Sequence, residues 1–280
     1  MTQAKQITQI SDTAFLTSWE RSLNPELSKD LWSKLWVTDA TKQFGKTFIE
    51  KVSPNDATAL CLRNRYFLDS LLAAEKLNPN FIFLNIAAGF TMYPFLLGEG
   101  HMFIEIDYPH VVDFKKKKLR EFKSKENLPD RNIQFLAMDL NEIKSHEKIA
   151  KLLEKQNNKG TFFVLLEGVL YYLEKRAVDS LMTLLERMLP KKSRIGLVAL
   201  SNDVKDSKAV ASTKDYFEKK LGFSKQNYTW LDEEYFRQLQ GFRVLEKTNY
   251  AELEKKYCQK PKGMTPENVI FETLYLLEKV

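Results

Sequence analysis

Between Phe81 and Pro109 the chain reads FIFLNIAAGFTMYPFLLGEGHMFIEIDYP: an apolar run, a turn of small residues, a short helical stretch, and a second apolar run ending on carboxylates. A strand without a polar face must be covered on both sides, which is the situation of a parallel sheet flanked by helices. This stretch therefore constrains the fold more than any other. In a βαβ unit the turn after the first strand lets backbone approach a nucleotide-like ligand, and an acid about 20 residues on can chelate ribose hydroxyls. Ala87-Ala88-Gly89 supplies the turn, and Glu105 and Asp107 supply the acid. A dinucleotide fingerprint asks for three glycines, and of those only Gly89 is present.

The alternation continues. Apolar runs at 81–86, 102–106, 133–137, 161–166 and 194–200 read as strands, and 92–97, 108–125, 145–155 and 175–188 as helices. Such a series specifies an α/β fold, Rossmann-like, with a mostly parallel sheet covered by helices. Ahead of it lie helical patterns at 11–23, 28–36 and 38–51. A further helix is expected from Ser53, which can cap, with Pro54 at the first helical position, and to run to about Leu77. On it Arg63, Phe67 and Ser70 share one face. Beyond Ser201 the pattern changes to helices at 212–221 and 231–240 and strands at 242–248 and 269–277, an antiparallel pair at the sheet edge. The expected organisation is one elaborated domain: a helical cap over 1–78, a cofactor-binding core over 79–200, and an acceptor lid with edge strands over 201–280.

Composition excludes several classes. With 44% hydrophobic and 29% charged residues, the 280-residue chain is of the soluble, folded type. Its +6 charge comes from 43 basic and 37 acidic residues that are intermixed, which argues against nucleic acid. The dense cluster Lys115-Lys116-Lys117-Lys118 reads as a solvated helix face. Cys61 and Cys258 form neither a disulfide framework nor a zinc motif, so no metal site and a reducing, cytoplasmic location are expected. The segment 81–98 carries no charge but is interrupted by Asn85, Gly89 and Pro94, so it is not read as a membrane span, and the first fifteen residues lack the pattern of a secretory signal.

Ligands of Rossmann-type sheets bind beyond the carboxyl ends of the strands. Here those ends carry Ala87-Gly89, Glu105 and Asp107, Asp139-Leu140, and Glu167-Gly168. One acid suits a ribose and another an adenine amino group. An acidic rim repels a pyrophosphate and favours a cationic ligand, which points to S-adenosyl-L-methionine.

The segments Arg63-Asn64-Arg65-Tyr66-Phe67-Leu68-Asp69, Leu84-Asn85-Ile86-Ala87-Ala88-Gly89-Phe90, Phe103-Ile104-Glu105-Ile106-Asp107-Tyr108-Pro109 with Lys115 beyond, and Leu166-Glu167-Gly168-Val169-Leu170-Tyr171-Tyr172-Leu173 resemble the leucine carboxyl methyltransferase family. That family also contains bacterial O-methyltransferases of polyketide pathways. Order and spacing agree from about Ser11 to Met188. The resemblance implies a class I methyltransferase sheet of seven strands ending in an antiparallel pair. It places Arg63 on the methionine carboxylate, Ala87 and Gly89 along the cofactor turn, and Glu105 and Asp107 at the ribose. Asp139 and Leu140 face the adenine, Glu167 the methionine amino group, and Tyr172 the transferring methyl. The structural alternatives are that Arg63 or Arg65 pairs with Asp69, that Asp139 caps the next helix, and that Tyr172 is core.

The family turn reads glycine, any residue, glycine, a hydrophobic residue and aspartate, with an arginine shortly after; here Ala87, Gly89, Phe90, Thr91 and Tyr93 stand there. Because none of the three histidines, His101, His110 and His146, falls on the expected rim, a carboxylate acceptor, which needs no general base, is favoured over a hydroxyl. The expected activity is O-methylation of a carboxylate on a small metabolite or a protein C-terminus. A binding protein of the same fold without turnover is the alternative. Base methylation commonly uses a polar-Pro-Pro-aromatic motif, which Glu167-Gly168-Val169-Leu170 does not match.

Overall fold

The computed structural model describes residues 4–79, 81–126, 128–156, 159–221 and 228–280. Seven strands form one sheet: β1 (Ile82–Ile86), β2 (Met102–Asp107), β3 (Ile133–Ala137), β4 (Phe162–Leu166), β5 (Arg194–Ala199), β6 (Phe242–Asn249) and β7 (Thr273–Lys279). Their order is β3-β2-β1-β4-β5-β7-β6. The first five run parallel, with Phe83 beside Phe103 on one flank of β1 and Phe163 on the other. β7 runs antiparallel to both β5 and β6, so the last strand of the chain is inserted inside the edge strand.

Successive side chains of a strand point to opposite faces, and β1 divides accordingly. Ile82, Leu84 and Ile86 pack with Ile104, Val164 and Leu166 against α6 (His146–Gln156) and α7 (Lys175–Met188). Phe83 packs on the other face with Phe103, Phe163 and Leu165 against Leu62, Phe67 and Leu71 of α4 (Asp56–Leu77). Every residue of β1 and β4 is buried, as apolar runs covered on both sides require.

The helical N-terminal part comprises α1 (Ala4–Ser22), α2 (Pro25–Ser28), a 3-10 turn at Ser33–Trp36, and α3 (Asp39–Lys51), whose first turn is capped by Thr38 through its bond from the Thr41 N–H. α4 starts at Asp56, later than Ser53-Pro54 implies, because the Ser53 hydroxyl donates to the Asp56 side chain instead of capping backbone. The expected helix at 92–97 is only a 3-10 turn, Tyr93–Phe95, containing Pro94. α5 (Pro109–Lys125) departs from the solvated reading at one residue: Lys115 is buried, with its Nζ 2.8 Å from Glu105.

After β5 come α8 (Lys208–Leu221), the short α9 (Glu233–Arg237), and α10 (Tyr250–Tyr257). α10 was not expected. Asn249 and Glu252 form a reciprocal capping box that starts it directly after β6. Leu16 and Trp19 of α1, Phe48 of α3, and Tyr216 and Phe217 of α8 make a separate apolar cluster that joins the N-terminal helices to the later segment. Among the described residues no helix is long and apolar enough to cross a membrane.

Candidate active site

From β1 the chain moves to β2 on one side, while β4 lies on the other, and this reversal opens a crevice beyond the strand ends. A cavity of about 350 Å³ occupies it, within the roughly 300–1,000 Å³ of small-molecule sites. Its sheet side consists of Ala87–Gly89 after β1, Asp107 closing β2, Met138 and Leu140 after β3, and Glu167 and Gly168 after β4. Its opposite side is built by helices: Thr17 and Glu20 of α1, Asp56 and Arg63 of α4, Thr213 and Phe217 of α8, and Tyr250 of α10.

The turn after β1 is held open by two left-handed residues, Ala87 (φ 58°) and Gly89 (φ 46°). An alanine pays about 1–2 kcal/mol for this conformation. What it obtains is a Gly89 N–H aimed at β2, which donates to Asp107 Oδ2 at 2.7 Å, while the Tyr108 N–H donates to Oδ1 at 2.7 Å. Burial raises the pKa of Asp107, and these two donors oppose that shift. Thr91 and Tyr93, standing where the family pattern has aspartate and arginine, order the turn with neutral groups. The Thr91 hydroxyl donates to the Ala88 carbonyl at 2.8 Å, and the Tyr93 hydroxyl donates to Glu167 Oε2 at 2.7 Å. Ser18 and Arg21 of α1 reach the Phe90 carbonyl, tying the helical side to the turn.

Arg63 is the electrostatic centre. Its Nε donates to Glu167 Oε1 at 2.9 Å, and its Nη1 donates to both oxygens of Glu272 at 2.9 and 3.0 Å. Burial opposes the charge, but Glu272 and Glu167 outweigh it and raise the guanidinium pKa further. The Tyr171 hydroxyl donates to Glu272 Oε1 at 2.7 Å, and the Tyr250 hydroxyl donates to Oε2. Burial, then the Glu272 charge, pushes both phenols well up, so they are neutral donors at ordinary pH. Gly168 (φ 65°) lets Arg63 and Tyr171 approach: a Cβ there would stand 3.3 Å from Arg63 Nη2 and 3.2 Å from the Tyr171 hydroxyl. Arg65, not Arg63, pairs with Asp69, at 2.9 Å.

Of the nine residues expected at the site, seven line the cavity: Arg63, Ala87, Gly89, Asp107, Leu140, Glu167 and Tyr172. Tyr172 is 38% exposed, and its ring packs on Tyr171 and Tyr228 at centroid distances of 4.6 and 5.8 Å. Glu105 is not brought there. It is 1% exposed and ion-paired to Lys115 beneath the turn, and the Lys115 ammonium also donates to the Thr91 carbonyl at 2.9 Å. Asp139 also lies off the cavity wall. Its Oδ1 accepts the Asn141 N–H at 2.8 Å, and its charge, after burial, helps push the Tyr108 phenol up to about 12. None of the three histidines lines the cavity; His110 stacks on Tyr108 instead.

Sequence reasoning missed Glu20, Asp56, Thr213, Tyr250 and Glu272. Glu272 carries one available signal, a lone acid entering the apolar run of β7, and the capping box at Asn249 would have located Tyr250. Glu20 and Asp56 sit in helical patterns where an acid is unremarkable. Their burial follows only from how α1 and α4 cross.

Residues 15–186, more than half of the chain, match the model of the leucine carboxyl methyltransferase family. A protein from Thermobifida fusca YX described as a candidate methyltransferase has a similar fold, with TM-score 0.62 and 13% identity, covering 86% of this chain and 89% of that one. A DUF574 family protein from Streptomyces avermitilis MA-4680 gives TM-score 0.63 and 11% identity, covering 96% of this chain and 97% of that one. At such identities the likeness concerns the fold alone. No curated protein matches significantly. The chain has the class I, Rossmann-like methyltransferase fold, and it belongs to the leucine carboxyl methyltransferase family.

Proposed function

We propose that this protein is an S-adenosylmethionine-dependent O-methyltransferase acting on a small molecule. The observation that carries this reading is the convergence, in one cavity, of the Gly89 turn, the Asp107 carboxylate and the Arg63–Glu167 pair. The fit to the cofactor rests on charge. Five carboxyl groups line the cavity, Glu20, Asp56, Asp107, Glu167 and Glu272, against two guanidinium groups, Arg21 and Arg63, and Asp107 and Glu167 are the acids the cofactor would meet. A ligand with a net positive charge suits such a lining.

When bound, S-adenosylmethionine supplies an electrophilic methyl group on a sulfonium. Asp107 would accept hydrogen bonds from the ribose hydroxyls, and Leu140 would pack on the adenine. Glu167 would accept from the methionine ammonium, Arg63 would donate to the methionine carboxylate, and Tyr172 would border the methyl. The chain's main contribution is alignment and exclusion of water, which can be worth roughly 7–11 kcal/mol. Among the described lining residues the cations are Arg21, engaged by Asp30 at 3.1 Å, and Arg63, engaged by two glutamates and assigned to the methionine carboxylate, which leaves neither for an anionic acceptor. This favours a hydroxyl over the carboxylate expected from sequence. The Ala87 turn adopts the left-handed conformation that brings the Gly89 N–H onto Asp107, which supports cofactor binding in both the enzymatic and the binding-only reading. Free Cys61 and Cys258 agree with a cytoplasmic location.

Calorimetric titration tests the reading. Saturable binding of S-adenosylmethionine and S-adenosylhomocysteine is expected; binding of NAD with neither sulfur compound overturns it.

A further inference from the structure

Glu20 and Asp56 come from different helices, are 0% and 8% exposed, and both line the cavity. Within the described residues no donor reaches either Glu20 oxygen, and the group within hydrogen-bonding distance is the Asp56 carboxyl. Two carboxyls can bond to each other only if one is protonated. Burial, then the charge of Asp56, raises the pKa of Glu20 strongly, whereas Asp56 is raised to about 6, first by burial, with the hydrogen bonds from Glu20 and Ser53 opposing. The proton therefore sits on Glu20, and Asp56 is the ionised partner at neutral pH. The remaining groups facing the pair are Arg21 and Arg63, which favour its charge, and Glu272, which opposes it. Cys61 and Tyr250 also face it, but burial keeps both protonated, and Tyr172, which is 38% exposed, faces it as a neutral phenol because partial burial, then the neighbouring Tyr228 and Glu272, oppose its ionisation.

A second orphan group lines the same cavity. Thr213 of α8 is fully buried, and among the described residues its hydroxyl has no hydrogen-bond partner. It stands one helical turn before Phe217, which shares its face and stacks on Phe48 at 5.6 Å. The Thr213 hydroxyl, and a carboxyl pair that receives only the Ser53 hydroxyl on its Asp56 member, cost stability unless a ligand satisfies them. The ligand has to be protic, since Asp56 accepts, and its other surface has to be apolar, since Phe48, Leu60, Phe217 and Ile270 complete the lining.

Resting on the methyltransferase reading above, we propose that Asp56, backed by Glu20, is the general base, and that the methyl acceptor is a phenol whose hydroxyl is held by Thr213. In the step, a bond forms between the phenol oxygen and the methyl carbon while the carbon–sulfur bond breaks. The electron pair of that bond stays on sulfur, leaving a neutral thioether. The phenol proton passes to Asp56 and from the pair to solvent. A phenol suits this base better than an aliphatic alcohol, because its ordinary pKa of about 10 lies closer to that of a raised carboxyl. A carboxylate acceptor has no proton to give and would face two buried acids.

Methyl-tritiated S-adenosylmethionine, offered with the matched probes 2-naphthol and 2-naphthoate and 4-ethylphenol and 4-ethylbenzoate, tests this. Expected is alkali-stable label in a phenol, with kcat/KM rising as pH passes through about 6. Glu20→Gln and Asp56→Asn should each lower kcat by about 10²–10⁴-fold, flatten that rise, and leave cofactor affinity within about twofold. Thr213→Val should raise KM more than it lowers kcat. The proposal is overturned by label in the carboxylates that alkali releases as methanol, or by variants that keep the wild-type rate and profile. It is equally overturned if no phenol is labelled while the cofactor binds, and should a variant not fold, the wild-type profile and label stability decide. Absence of cofactor binding by the wild type refutes the earlier reading instead.

Discussion

The two sides of the cavity are built on different principles. On the sheet side the chain supplies its own partners: Gly89 bonds to Asp107, Tyr93 bonds to Glu167, and Glu105 is ion-paired with Lys115. On the helical side, among the described residues, Glu20 has only another carboxyl and the Thr213 hydroxyl accepts and donates no hydrogen bond. Paired groups hold a shape, which is what recognition of one unvarying cofactor requires. Unpaired buried groups lower stability and leave valence for a second ligand. On the proposals above, the sheet side with Arg63 reaching in from α4 would hold the cofactor, and the Glu20, Asp56 and Thr213 part of the helical side the acceptor; that contrast can be broken at four places.

The largest effect is expected beneath the sheet side. Glu105→Ala strands the buried Lys115 ammonium and should cost about 3–5 kcal/mol in chemical denaturation, with cofactor affinity nearly unchanged. The reverse, stability kept and affinity lost, would put Glu105 rather than Asp107 at the ribose.

Next comes the helical side and pH. The folded-state pKa of Asp56 is raised, so the native state binds more protons than the unfolded chain between the ordinary carboxyl value and about 6. Stability should be fullest below about pH 4 for this group and fall as pH climbs through about 6, by on the order of 3 kcal/mol. Unfolding measured across that range should lose most of this slope in Asp56→Asn. A flat profile would show that the pair is solvated, and a slope of the opposite sign that its charge is stabilised by the fold; either would remove this difference between the two sides.

Asp107→Ala removes charge-assisted bonds worth about 1.5–3 kcal/mol, so binding of S-adenosylmethionine should weaken roughly ten- to hundredfold. An unchanged dissociation constant would move the ribose contact elsewhere. The smallest effect is at the turn. Ala87→Gly relieves a left-handed alanine, costing about 1–2 kcal/mol, but adds unfolded-chain entropy of roughly 0.5–1 kcal/mol. The melting temperature should rise slightly, with affinity held or improved. A clear loss of either would mean that the Ala87 methyl, which packs against the core under the crevice, matters more than the strain.

The sheet was legible because its signals are local. Continuous apolar runs predict strands covered on both faces, and β3 (Ile133–Ala137), α7 (Lys175–Met188) and the start of β5 at Arg194 fall where the pattern places them. Short elements were harder. α10 is eight residues long, and its identity rests on the Asn249–Glu252 cap rather than on periodicity. The turn at Tyr93–Phe95 shows the converse: an apolar stretch with a proline has helical composition but only one turn of helix.

By itself the sequence determined the parallel sheet, the small-residue turn, and the acids waiting at the strand ends, since each depends on neighbours a few residues away. It could not separate Glu105 from Asp107. The two lie on the same face of β2, and only the structure shows that Lys115 of α5 claims the first while the second, at the strand's end, reaches into the crevice. Nor could it bring Glu20, Asp56, Thr213 and Glu272 together. Helical periodicity tells which face of a helix is buried, whereas what that face meets depends on how separate helices cross, and that is set by packing across the whole chain.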